Sequence, residues 1–228
     1  MANLLVVGLV ETSLEDEYEV IAWDLDLSRW IILKELRYDD FKSDAGVMWD
    51  LFQITEAQID KYINNNFTFR SEEYIVVNKE NCKVRGRYEK DKIHDFLLEH
   101  ALDTPSDILG NIGIIKINAV LDILFKLDYG KLYKDKYILV DDKEQKCFFW
   151  ESRIQCIDGA NITNNTAKSK IGAACKDLRW KSYWFNMRDN VEEKKKKWLS
   201  EINNRDVFTV VEYYGKKGFH VVAGVHCL

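Results

Sequence analysis

Apolar and polar positions along this chain follow a period of two at both ends and a wider spacing in the middle. Leu4–Val10 is a continuous apolar run, Glu11–Asp16 is polar, Tyr18–Leu25 alternates in part, and Arg29–Leu33 is apolar again. These spacings predict three strands joined by turns. Val47–Ile54 predicts a fourth strand, and Thr55–Asn65 a helix, because Thr55 and Gln58 stand at the spacing of an N-cap and its N3 partner. Glu73–Asn78 and Lys83–Tyr88 predict another strand pair. Lys92–Leu102 places Ile93, Phe96, Leu97 and Ala101 three to four apart before Pro105, which predicts a helix, and Ile114–Asp128 predicts a second on an apolar face of Ile117, Val120, Leu121, Leu124 and Phe125. Alternation returns in Tyr137–Asp141, Lys146–Trp150 and Arg153–Asp158, and a Ser/Thr/Asn/Gly-rich loop spans Gly159–Gly172. Asp189–Asn203 predicts a charged helix, and Val207–Tyr214 with Phe219–Cys227 a closing hairpin across Gly215–Gly218. The expectation is an α+β chain: a β-rich lobe over residues 1–90, a helical connection over 91–135 and a second β-rich lobe over 136–228.

Composition narrows the class. With 228 residues, 46% hydrophobic and 31% charged, the chain has the material for a core and is neither disordered nor collagen-like. No apolar run approaches the ~18 residues that cross a bilayer, and the first residues lack the basic start of a signal peptide. The expectation is therefore a soluble cytoplasmic protein with no membrane contact. Five widely spaced cysteines (Cys82, Cys147, Cys156, Cys175, Cys227) contain no Cys-x-x-Cys pair, and His94 and His100 fall on opposite sides of a helix, so neither a metal nor a cofactor is expected. Enzyme signatures are also missing: there is no nucleophile elbow and no Gly-x-Gly-x-x-Gly, and Asp128-Tyr129-Gly130-Lys131 lacks the glycines of a P-loop. Acidic side chains crowd the first 50 residues, which leaves a carboxylate-based hydrolase using Asp24 or Asp26 as a weaker alternative to a solvated acidic surface.

Charge is unevenly spread. Residues 1–60 hold 14 acidic and 4 basic side chains, a net of −10, so a chain of net −5 carries +5 in the remainder. The most basic stretch, 166–188, holds Lys168, Lys170, Lys176, Arg179, Lys181 and Arg188 against Asp177 alone, interleaved with Trp180, Tyr183, Trp184 and Phe185. Cations that meet phosphates and rings that stack on bases are the requirements of a single-strand nucleic-acid site. On a strand, Arg179, Lys181 and Tyr183 point one way and Trp180 and Trp184 the other, which fits either a basic face carrying one ring or a core face with a basic back. Lys194–Lys197 follow Glu192 and Glu193, so helical ion pairing accounts for that run. Trp23, Trp30 and Trp49 lie in the acidic lobe, where they fill a small barrel or, if exposed, mark a surface for a basic protein partner.

Several stretches carry a resemblance. Leu4-Leu5-Val6-Val7-Gly8-Leu9, a polar turn and then Ser28-Arg29-Trp30-Ile31 resemble the opening of the dual OB-containing domain family of prokaryotes. Val47–Ile54, Arg70–Val77 and the closing Phe219-His220-Val221-Val222-Ala223-Gly224-Val225-His226 resemble later elements of that family. The chain departs from it in the first turn, where Glu11–Asp16 is acidic, and in Leu33, near where relatives carry a proline. The resemblance implies two small OB-like β-barrels with inserted helices and a nucleic-acid or nucleotide-sensing role in bacterial conflict, with no catalytic residues. The combined expectation is a non-enzymatic module that binds single-stranded nucleic acid or a nucleotide-like ligand. Lys168, Lys170, Lys176, Arg179, Lys181 and Arg188 would contact phosphates, and Tyr183 and Trp180 would stack. A protein-interaction adaptor using the acidic lobe is the alternative.

Overall fold

The computed structural model describes residues 1–12, 16–43, 46–63, 72–130, 138–139, 147–156, 173–186, 191–214 and 219–228. Among the described residues the architecture is mixed α+β and dominated by strands, with three α-helices and a sheet curled into a half-barrel. In chain order the strands are β1 (Ala2–Glu11), β2 (Tyr18–Asp24), β3 (Arg29–Leu36), β4 (Lys42–Ser43), β5 (Gly46–Val47), β6 (Gln53–Ala57), β7 (Ile59–Lys61), β8 (Glu73–Val76) and β9 (Lys83–Arg87). After helix α1 (Lys90–Glu99) come β10 (Ala101–Leu102), β11 (Ile112–Ile117), β12 (Val120–Gly130), β13 (Ile138–Leu139), β14 (Cys147–Cys156) and β15 (Ala173–Cys175). Helices α2 (Leu178–Asn186) and α3 (Val191–Ile202) follow, and β16 (Val207–Tyr214) and β17 (Phe219–Cys227) close the chain.

Two sheets contain nearly all of these strands. The first runs β7-β8-β3-β2-β1-β6-β9 and the second β10-β11-β16-β17-β15-β14-β12. Both pairing paths come back on themselves. Gln58 alone separates β6, which pairs with β1, from β7, which pairs with β8. In the second sheet, Asn118 and Ala119 alone separate β11, paired with β16, from β12, paired with β14. The first path contains one parallel step, β3 with β8, and the second contains two, β10 with β11 and β15 with β17.

Several expectations are corrected. Ile114–Asp128 is two strands rather than a helix: Ile112, Ile114, Ile115, Ile117 and Val120 are buried on both faces, so the alternation of a strand is hidden in a continuous apolar run, and β-branched side chains favour extended backbone. The 91–135 segment thus supplies three strands of the second sheet in addition to α1. Thr55 begins no helix; it is buried mid-strand in β6 and its hydroxyl donates to the Met48 carbonyl at 2.6 Å. Residues 64 and 65 of that expected helix lie outside the described residues, as do the loop at 159–172 and the turn at 215–218. The expected strand at Val47–Ile54 is broken at Phe52, whose φ of 60° turns the chain. β8 and β9 are strands as expected but pair with β3, β7 and β6 rather than with each other.

The two sheets share a core. Ile112, Ile114, Phe208, Val210 and Ala223 of the second sheet pack with Leu4, Val6, Ile21, Ile31 and Leu33 of the first, joined by Phe96 and Leu97 from α1. The opposite face of the second sheet buries Trp180, Trp184 and Ile202 of α2 and α3 against Ile115, Val120, Ile123 and Val211. The sheets meet where β1 and β17 cross. Register shifts occur between Val6 and Gly8 in β1 and opposite Val210/Val211 in β17. A bulge leaves a carbonyl outside the ladder, and the Val7 carbonyl accepts a 2.8 Å hydrogen bond from His226 Nε2. A Cβ on Gly8 would stand 3.1 Å from the Ala223 oxygen, and one on Gly224 3.0 Å from the Val7 oxygen. Gly8→Ala and Gly224→Ala are each expected to cost about 1–3 kcal/mol in urea denaturation, the range of overpacking penalties; unchanged midpoints would show that the crossing has slack.

Candidate ligand-binding site at the junction of the two sheets

The basic–aromatic segment is helical, and that changes what its residues can do. At i and i+4, Trp180 and Trp184 share one face of α2; they are 7% and 1% exposed and meet Trp198 of α3 edge to face at 5.0 and 5.9 Å. The Trp180 ring expected to stack on a base therefore lies in the core, where burial of a large aromatic surface is worth most. Lys181 is largely covered and pairs with Glu11 at the end of β1. The Lys176 backbone bridges the sheets, donating to the Val222 carbonyl at 2.8 Å and accepting from Glu11 N at 3.3 Å. Arg179 and Tyr183 stand one turn apart on the solvent face, Tyr183 at 42% exposure. Lys168, Lys170 and Arg188 lie outside the described residues.

What Arg179 touches was not legible beforehand. Its Nη2 pairs with Asp50 Oδ1, while Arg87 of β9 pairs through Nη2 with Asp50 Oδ2. One carboxylate thus holds two guanidiniums, one from each sheet's side of the junction. The guanidinium side chains are 53% and 54% exposed and the carboxylate 19%. Asp50 is held by a tight turn: Asp50 N donates to Gln53 Oε1 at 3.0 Å, Leu51 N to Asp50 Oδ1 at 2.9 Å, and Phe52 N to the Val6 carbonyl at 2.7 Å. Asp177 fixes the other side. Buried at the start of α2, it accepts from Arg179 N at 2.8 Å, Trp180 N at 3.1 Å and Val225 N at 2.9 Å. Desolvation raises its pKa and these three hydrogen bonds oppose the rise. The acid counted against a basic stretch is thus the cap of its helix.

Beneath this cluster lies His226, its ring 4.8 Å from that of Phe52. Complete burial pushes its pKa down to about 4 despite the hydrogen bond to Val7. A second, largely buried charged group lies on the first sheet. Lys34 of β3 pairs with Glu19 of β2 and lies 3.8 Å from Glu73 of β8, with Glu212 of β16 adding to its field. Burial works against the charged Lys34, but the carboxylates around it, Glu19 above all, outweigh burial and raise its pKa. Among the described residues, no group of three His, Cys, Asp or Glu side chains is arranged to hold a metal ion. The hydrolase carboxylates have other work: Asp24 accepts from Asp26 N, Leu27 N and Arg29 Nε, and Asp26 from the backbone and side chain of Asn3. Trp49 is buried, and Trp23 and Trp30 pack edge to face at 4.9 Å beside Phe96 and His100, so none of the three forms an exposed docking surface. Burial raises the thiols of Cys82 and Cys227, to about 11 and about 12.

No helix among the described residues is long and apolar enough to cross a membrane. Neither a family model, nor a curated protein, nor a solved structure matches the chain.

Two outcomes follow from these burials. The folded chain refuses at His226 a proton that the unfolded chain binds near pH 6.5, so this residue removes stability as pH falls from 6.5 towards about 4, by up to about 3 kcal/mol. His226→Gln, which can still donate to Val7, is expected to flatten that part of the profile in urea titrations at pH 7 and 4.5; parallel profiles would refute it. Lys34→Met removes the cation paired with Glu19 and beside Glu73 and is expected to cost about 3 kcal/mol in urea denaturation at pH 7. An unchanged midpoint would contradict this account.

Proposed function

We propose that the chain is a non-enzymatic cytoplasmic module that binds single-stranded nucleic acid or a nucleotide-like ligand. The observation that carries this reading is the half-exposed pair of guanidiniums, Arg87 and Arg179, with the exposed Tyr183 ring one helical turn from Arg179. Cations beside an accessible ring match the two demands of a stranded polyanion, charge neutralisation along the backbone and a flat surface for a base. The site differs from the one drawn from sequence: Arg87 joins it, Trp180 leaves it for the core, and Lys181 is engaged with Glu11.

The strand order supports the barrels in this proposal. Three strands in succession, a parallel step from the third to the last, and a return of the fourth to the first is the circuit of an OB-fold, a scaffold that binds oligonucleotides and oligosaccharides. The path β1-β2-β3-β8-β7/β6 follows it, as does β11/β12-β14-β15-β17-β16, with α2 and α3 between the third and fourth strands. The resemblance to the dual OB-containing family rests on the sequence motifs and adds a role in bacterial conflict to the proposal.

Fluorescence anisotropy with labelled single-stranded oligonucleotides is expected to show binding that weakens with salt. Arg87→Ala and Arg179→Ala should each weaken it several-fold and lower the salt slope by about 1. Absence of binding to DNA, RNA or nucleotides at low salt would remove the proposal.

A further inference from the structure

Asp50 is an unusual counter-ion. On β9, the strand of Arg87, Arg85 forks onto Glu56 of β6 with contacts of 2.7, 2.8 and 3.1 Å, one acid for one base and a neutral pair. Asp50 instead gives one oxygen to Arg87 and the other to Arg179, so the group of three keeps one positive charge. The turn that holds Asp50 contains Phe52 in the left-handed region, at φ 60°, a conformation that is costly for a bulky side chain and survives where surrounding contacts over-determine it. Those contacts are present: Phe52 N donates to Val6 O, Phe52 O accepts from Tyr88 N at 2.8 Å, and Gln53 Nε2 donates to Val47 O at 3.0 Å. Strained backbone, a carboxylate and two half-exposed guanidiniums drawn from separate elements thus converge on one spot.

We infer that Asp50 is the internal occupant of a phosphate site, and that Arg87 and Arg179 exchange its carboxylate for the terminal phosphate of a nucleotide or of an oligonucleotide end. This rests on the anionic-ligand reading above and specifies its ligand. The carboxylate presents two acidic oxygens on one central atom, each taking one guanidinium, and a phosphate presents the same pattern with tetrahedral spread. Charge selects among phosphates. A phosphodiester within a strand carries one negative charge, as Asp50 does, and so is held less strongly here than a group of higher charge. A terminal monoester carries close to two at neutral pH and matches both guanidiniums. Tyr183, one turn beyond Arg179, is then available to the adjoining base or sugar.

The test compares two short single strands of one sequence, labelled at the 3′ end and carrying either a 5′-phosphate or a 5′-hydroxyl, against wild-type and Asp50→Asn protein. Asparagine keeps an oxygen for Leu51 N, so the turn is retained, which a thermal melt checks. The wild-type protein should prefer the phosphorylated strand, and Asp50→Asn should bind that strand about tenfold more tightly than wild type, with a smaller gain for the hydroxyl strand. Arg87→Gln and Arg179→Gln each remove one of the two charges that the monoester matches and should lose the preference, which keeps the assignment open to refutation even if Asp50→Asn folds poorly. Equal affinity for both strands in every variant would overturn the phosphate site while leaving oligonucleotide binding intact. Binding to neither strand would overturn the broader reading as well.

Discussion

The contact on which the rest depends is the crossing of β1 and β17. Two bulged strands approach through glycines, Gly8 against the Ala223 oxygen and Gly224 against the Val7 oxygen, and the carbonyl displaced from the ladder at Val7 is taken by His226. Backbones this close exclude water from a hydrogen bond that joins residues 219 positions apart. The crossing also sets the position of α2. Lys176 is bonded to both β17 and β1, Val10 bridges to Asp177, and Asp177 caps the helix that carries Arg179.

The outer strands were legible because their patterns are local. β1, β2, β3, α3 and the β16–β17 hairpin are bounded by polar or glycine-rich turns that residue spacing alone reveals. The middle was not, since a strand buried on both faces has no polar phase: Ile112–Ile117 and Val120 onwards look like a helical stripe until the second sheet places apolar neighbours on both sides. The candidate site was half legible. Composition pointed to Arg179 and Tyr183 on α2 but could not tell that Trp180 faces the core, because that depends on the period being 3.6 rather than two. Arg87 and Asp50 were hidden for a different reason. They lie 92 and 129 positions from Arg179, and no local pattern encodes a pairing set by two sheets.

Buried charges follow two rules. Asp177 meets backbone N–H groups, fixed dipoles that need no counter-ion, and so serves as a rigid joint. Lys34 meets carboxylates carried by β2 and β8 of its own sheet, with Glu212 of β16 acting at longer range. Such a cluster contributes little net stability over an all-apolar substitute, but removing one member alone is costly.

The shared core has a consequence for how the chain lives. Either half released alone would present an oily flank, the first lacking Phe208 and Val210, the second lacking Leu4 and Ile21. Neither is a free-standing module that evolution could shuffle into another polypeptide. During synthesis the strands of the first sheet are made before β16 and β17, whose Phe208, Val210 and Ala223 seal its apolar face, so that face is open in the nascent chain until they follow.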